Sequence, residues 1–251
     1  MPVRVKPDRA LQVENCLATV MDPELDESVT ELGFVTDLEV ADDGEVHIGF
    51  RLPTYWCAAN FAFLMADDMR LAVQTLPWVS KVRVQLHEHM YADAINNGVT
   101  AGNGFEAAFG SAAEGGLDQM RRTFLLKAFQ RRQQALLQHL LDAGHTAPEL
   151  VALDIAALEQ LLLADAEGNL LVERYLERRG VVGGGTLAFV DSEGQALDAD
   201  ALPRHLRKLQ GVSVNTEFNG ALCRGLLAAR YREAEPQPIM IVRRPPQTPA
   251  G

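Results

Sequence analysis

Asp43-Gly44, set between two runs of alternating residues, constrains this chain more than any other feature. Phe34, Thr36, Leu38 and Val40 share one parity ahead of it; Val46, Ile48, Phe50 and Leu52 share one behind it, alternating with His47, Gly49 and Arg51. A period of two places alternate side chains on opposite faces of a strand, and Asp-Gly supplies the positive φ that a tight hairpin turn demands. A half-buried hairpin needs a cover. Leu11, Leu17 and Val20 predict an opening helix that stops near Asp22-Pro23, and Phe61, Met65, Met69, Ala72 and Leu76 recur at helical spacing over 58–76. Val82, Val84 and Leu86 alternate with Lys81, Arg83 and Gln85 as a third strand. Residues 1–90 thus predict an α/β (α+β) domain, helix–strand–strand–helix–strand, with a small mixed sheet.

Beyond it, the glycine- and asparagine-rich stretch 91–116 reads as a loop or linker. Residues 117–244 predict a helix-rich C-terminal α/β domain. Its helices are expected over 117–143, with Phe124, Ala128, Leu136 and Leu140 inside and a basic face of Arg121, Arg122, Lys127, Arg131 and Arg132, and then over 148–163 and 169–179. Gly183-Gly184-Gly185 breaks the pattern, followed by strand 186–190, helix 200–209, strand 212–215, helix 220–231 and strand 239–242. The Pro-rich 245–251 predicts a disordered tail.

No apolar run reaches the roughly 18 residues of a membrane span, and the N-terminus carries no signal-peptide core, so a cytoplasmic protein without a membrane partner is expected. The net charge of -11 is concentrated in residues 1–104, where 16 Asp and Glu face 7 Lys and Arg. That front half would repel a phosphate backbone, which argues against nucleic acid as a partner. Three cysteines without CxxC spacing make neither a disulfide framework nor a four-cysteine metal site in one chain. A bound metal needs His or carboxylate help, or a thiol from another chain, which admits a homodimer.

Cys57 lies between the second strand and the second helix. A thiol at a helix N-terminus faces unpaired N–H groups and the positive end of the macrodipole, and both favour the thiolate that binds iron or attacks electrophiles. The alternative is a small buried hydrophobe. Asp22 and Glu24, in Met21-Asp22-Pro23-Glu24-Leu25, either start a short helical turn or supply oxygen ligands beside the thiol. His87 and His89, two apart on an extended segment, would point to one side and could share a metal with Cys57. Cys223 reads as a second thiol or a core residue, and Cys16 as core.

Taken in order, Asp22-Pro23-Glu24-Leu25, Val29-Thr30-Glu31-Leu32-Gly33-Phe34-Val35, Thr54-Tyr55-Trp56-Cys57 and Leu76-Pro77-Trp78-Val79 resemble the pattern of the SufT-like metal–sulfur cluster assembly factors. Ala58 stands where that pattern has Pro, and Trp56 where small residues are common. The resemblance covers about residues 10–90. It implies an accessory maturation factor, not an enzyme, that carries a transient iron or iron–sulfur cluster on Cys57, with Thr54, Asp22 and Glu24 in support. It also implies a client metalloprotein as partner. By analogy with companions of bacterial multicomponent oxygenases, a di-iron monooxygenase is the client expected. Two other readings stand beside it: a metal-free scaffold or chaperone-like module, and a thiol enzyme with Cys57 as nucleophile and His87 or His89 as base.

Overall fold

A computed structural model of the chain describes residues 8–102, 104–110, 117–161, 165–231 and 239–244. It divides into two units, residues 1–117 with 220–251, and residues 118–219. The expected tail 245–251 lies outside the described residues.

The first unit is built on the expected order. Helix α1 (Arg9–Leu17) is followed by strands β1 (Val35–Ala41) and β2 (Glu45–Phe50), helix α2 (Ala59–Gln74) and strand β3 (Lys81–Leu86). Strands β1 and β2 pair antiparallel through the Asp43-Gly44 turn, and β2 pairs parallel with β3 across the α2 crossover. Gly44 sits at φ +89°, and a Cβ there would strike the Trp78 carbonyl, so glycine is required on two counts. Alternation in β3 is complete, with Val82, Val84 and Leu86 buried and Lys81, Arg83 and Gln85 exposed. Helix α1 turns Ala10, Val13 and Leu17 inward, which leaves Leu11 half exposed and corrects the face predicted for it. Helix α2 buries Ala62, Phe63, Leu64, Met65, Ala66, Met69 and Val73.

Two expectations for this unit are corrected. The predicted linker 91–116 contains helices α3 (Ala92–Ala101) and α4 (Gly104–Phe109). Ile95 and Val99 of α3 enter the core, and Phe105 and Phe109 stack with ring centroids 4.6 Å apart. Of the glycines that read as breaks, Gly102 is the left-handed C-cap of α3 and Gly104 opens α4, while Gly98 lies buried inside α3. The last strand, β4 (Met240–Arg244), was expected in the C-terminal domain. It pairs parallel with β1, giving a mixed four-stranded sheet of order β3-β2-β1-β4. A lone strand leaves both hydrogen-bonding edges open, and the free edge of β1 offers the pairing that 118–219 does not.

The second unit holds α5 (Leu117–Asp142), α6 (Ala147–Ala152), α7 (Ile155–Glu159) and α8 (Ala166–Arg179), together with the first part of α9 (Leu202–Tyr231). Phe129, Leu136, Leu137, Leu140, Tyr175 and Phe189 form its core. The helix predicted over 148–163 is two, because Asp154 caps a new start by accepting from the Ala157 N–H. Arg132, predicted on the basic face, is buried and pairs with Glu177 at 2.6 Å. The strand predicted over 186–190 makes only isolated bridges at Leu187 and Val190. The buried guanidinium of Arg179 takes its place in the ladder, donating to the carbonyls of Gly183, Gly184, Leu187 and Ala188. The strand predicted over 212–215 is helical, since α9 runs unbroken from 202 to 231. Burial recurs at Leu202, Leu209, Ser213, Gly220 and Leu227, a helical repeat that the β-branched Val212 and Val214 obscured.

Candidate functional site: the thiol loop at the carboxyl ends of two parallel strands

Strands β2 and β3 run the same way, so their carboxyl ends open on one side of the sheet, where α/β folds gather their ligand-binding groups. The loop from β2 to α2 leaves there and carries Thr54 and Cys57. Cys57 directly precedes Ala58, the N-cap of α2, and Ala58 offers no side-chain cap to the first turn. The Thr54 hydroxyl lies 3.3 Å from the Cys57 sulfur. A hydroxyl donating to sulfur stabilises its charged form. The thiol is half-buried, while Tyr55 and Trp56 beside it are exposed, Trp56 to 71%.

The segment after β3 holds this loop from the other side. His89 is buried, and its Nε2 lies 2.8 Å from the Cys57 carbonyl, which can only accept. Nε2 therefore carries the proton, and Nδ1 accepts the Tyr91 N–H at 3.2 Å. Burial holds the His89 imidazole below the usual histidine pKa, so the neutral ring this arrangement needs is favoured. Met90 N–H donates to the Tyr55 carbonyl at 2.9 Å, a second tie between the segments.

The pairing predicted for His87 and His89 does not form. Glu88 lies at φ +49°, so the backbone is not extended there and the same-side rule for residues two apart fails. His87 turns toward Asp37, with Nε2 3.7 Å from Oδ1, while His89 turns to the Cys57 backbone. Among the described residues, no three His, Cys, Asp or Glu side chains stand close enough to hold a metal ion. With both nitrogens engaged, His89 is also not a base on the thiol.

Asp22 is buried and accepts at Oδ1 from the N–H groups of Glu24 and Leu25, at 2.9 and 2.8 Å. Burial outweighs these bonds and pushes its carboxyl up to about 6. Pro23 and Glu24 thus form a tight turn shaped by Asp22.

Sequence reasoning missed the part played by the last helix. Arg224 Nη1 meets Glu27 at 2.8 Å, and Arg230 donates to the carbonyls of Leu52 and Glu88 at 3.2 and 2.7 Å. The Arg51 guanidinium lies over the Tyr231 ring, 3.9 Å from its centroid. Cys223 is thereby held in the first unit. Its thiol is pushed up to about 11, chiefly by burial, then by the negative charges of Asp22, Cys57 and Glu24. The seven-residue spacing of buried positions in α9 was the available signal.

The profile of the iron-sulfur cluster assembly protein family matches residues 11–86, which include Asp22, Glu24, Thr54 and Cys57. The Fe-S protein maturation auxiliary factor YitW of Bacillus subtilis is 31% identical over 74 residues, 30% of this chain and 71% of its own length. The chain belongs to this family. An uncharacterized protein of Methanocaldococcus jannaschii is 34% identical over 84 residues, 34% of this chain and 86% of its own length. The iron-sulfur cluster carrier protein of Mycobacterium tuberculosis is also 34% identical, over 74 residues, but these are 30% of this chain and only 19% of that protein. No solved structure matches. His87, His89, Cys223 and Arg230 all lie outside the family's matched residues.

Proposed function

We propose that this protein is a maturation factor that takes up iron or an iron–sulfur cluster on Cys57 and passes it to a client metalloprotein. The observation that carries the reading is the thiol loop. A half-buried sulfur sits at the mouth of two parallel strands, beside a donating Thr54 hydroxyl, on a backbone fastened by His89. A thiolate is the soft ligand that iron and its sulfur clusters prefer. A site with few protein ligands suits a carrier, because coordination left open can be completed by the client's own groups. The names borne by the relatives, a carrier and a maturation auxiliary factor, support a carrier and not an enzyme.

The finer parts of the reading rest on less. Three free cysteines fit a reducing cytoplasm. A dedicated client, of the di-iron monooxygenase class, fits a chain whose residues 118–219 form a unit outside the family match. A homodimer would bring a second thiol to the cargo.

Cys57→Ser tests the central claim. The change is nearly isosteric, but the hydroxyl stays protonated near neutral pH and binds iron poorly. The variant should melt as the parent does and leave a co-expressed client iron-poor. A fully metallated client would show that Cys57 is not the carrier, and that result would sink the proposal.

A further inference from the structure

Glu88, the residue that parts His87 from His89, stands at φ +49°. A left-handed backbone is costly for a residue with a side chain and persists where its neighbours hold it. Arg230, near the end of α9, makes the holding contact. Its Nη2 donates to the Glu88 carbonyl at 2.7 Å and to the Glu88 carboxylate at 3.2 Å, and its Nη1 donates to the Leu52 carbonyl at 3.2 Å. The Glu88 side chain is 62% exposed, so the ion pair contributes little and the two carbonyl bonds carry the contact. Arg51 crosses in the other direction, with its guanidinium over the Tyr231 ring. Arg51 and Leu52 directly follow β2 and begin the loop that carries Cys57.

We infer that Arg230 is a positioning residue for the Cys57 loop: it pins the loop at Leu52 and holds the left-handed turn at Glu88 that aims His89 at the Cys57 carbonyl. Each link has its own contact. Arg230 fixes Glu88, the turn at Glu88 sends the next two residues toward the loop, His89 Nε2 reaches the Cys57 carbonyl at 2.8 Å, and the Met90 N–H reaches the Tyr55 carbonyl at 2.9 Å. A ligand whose supporting groups are already in place binds without first having to be ordered. The inference rests on the carrier reading for the use made of the thiol, and on these contacts for everything else. It extends beyond the matched residues 11–86, which include Leu52 and Cys57 but not Glu88, His89 or Arg230.

Arg230→Met in the full-length protein keeps the apolar stem and removes both carbonyl bonds. Two readouts by nuclear magnetic resonance on isotope-labelled protein test it. The ring nitrogens of His89 should show a single tautomer in the parent, protonated at Nε2, and shift toward a mixture of tautomers in the variant. The amides of Met90 and Tyr91 should exchange with solvent about ten-fold faster in the variant, while the amides of β3 keep the parent's rates. A ring signal and amide rates unchanged by Arg230→Met would overturn the inference. Faster exchange throughout β3 as well would also overturn it, because Arg230 would then be a general stabiliser of the unit.

A second substitution tests the route through Glu88. Glycine adopts positive φ without steric cost, so Glu88→Gly lowers the need for a contact that holds the turn. Placed on top of Arg230→Met, it should return most of the parent's His89 ring signal and slow the Met90 and Tyr91 amides again. No recovery in the double variant would overturn the route through Glu88. Neither readout needs cargo, so a failure of the carrier reading, which Cys57→Ser decides, is seen separately from a failure of this inference.

Discussion

His89 holds Cys57 by its backbone: the imidazole Nε2 donates to the Cys57 carbonyl over 2.8 Å, while its Nδ1 accepts the Tyr91 N–H. The ring spans the gap between the loop after β2 and the loop after β3, and it does so only when neutral. A second proton on Nδ1 would set donor against donor at Tyr91. His89 engages the carbonyl and not the sulfur, so it positions the loop without occupying the lone pairs of the thiol.

His89→Ala should therefore destabilise the first unit by about 1–3 kcal/mol near pH 7.5, the usual cost of leaving buried polar groups unmet. The sign of the pH effect is fixed by the depressed pKa of His89. Below the ordinary histidine value of 6.5 the unfolded chain takes up a proton that the folded one resists, so the ring's contribution is complete above 6.5 and fades as pH falls. Urea denaturation of parent and variant at pH 7.5 and 5.5 should show the gap between them narrowing at the lower pH. A constant gap would mean that the ring does not act through its neutral form.

Thr54→Val removes the hydroxyl 3.3 Å from the Cys57 sulfur and keeps the shape of the side chain. Thr54 is part-exposed, so stability should change little. Alkylation of Cys57 by iodoacetamide at pH 7.5 should slow by roughly five-fold, the equivalent of one modest hydrogen bond to a charged acceptor. An unchanged rate would show that this hydroxyl does not favour the thiolate.

Much of the first unit was legible because its signals are local. The alternation in Val82, Val84 and Leu86 and the turn at Asp43-Gly44 each specify structure over a few residues. The placing of Cys57 at the start of the second helix was legible for the same reason, from an ordered short motif. What escaped was non-local or depended on a single dihedral. The positive φ of Glu88 parts His87 from His89, and no pattern of residue types announces it. The pairing of β4 with β1 and the placing of Cys223 link residues some 200 positions apart. In the second unit, 186–190 has the composition of a strand, but Arg179 meets its carbonyls with a side chain in place of a neighbouring strand.

Arg179 should accordingly be the least replaceable residue of residues 118–219. It is buried, and its guanidinium serves four carbonyls. Arg179→Met keeps the apolar stem but leaves four carbonyls without their donor, the Ala188 carbonyl among them buried, at roughly 1–3 kcal/mol for a buried bond to a charged donor that is lost. The second unit should lose its cooperative melt in calorimetry, or melt far lower, while the alkylation rate of Cys57 in the first unit stays at the parent's. A melt within a few degrees of the parent would refute the clamp.

Asp22→Asn separates stability from chemistry. In the folded chain burial raises the Asp22 carboxyl to about 6, against 3.8 for an unperturbed aspartate, so the fold prefers the protonated form. Between about pH 4 and 6 the folded state holds more protons than the unfolded one. Stability from this group therefore falls as pH rises, and the whole cost is present above pH 6. A shift of about two pH units corresponds to something on the order of 3 kcal/mol at pH 8. Asparagine keeps the Oδ1 that accepts from Glu24 and Leu25 but has no charge to bury. The variant should be more stable than the parent at pH 8, by about 1–3 kcal/mol once local relaxation is allowed for, and the advantage should shrink steadily toward pH 4.5. Denaturant melts across that range measure the difference directly, and the opposite slope expected of His89 cancels because it is common to both proteins. An advantage that stays flat with pH would show that Asp22 is already neutral, or already solvated, when the chain is folded.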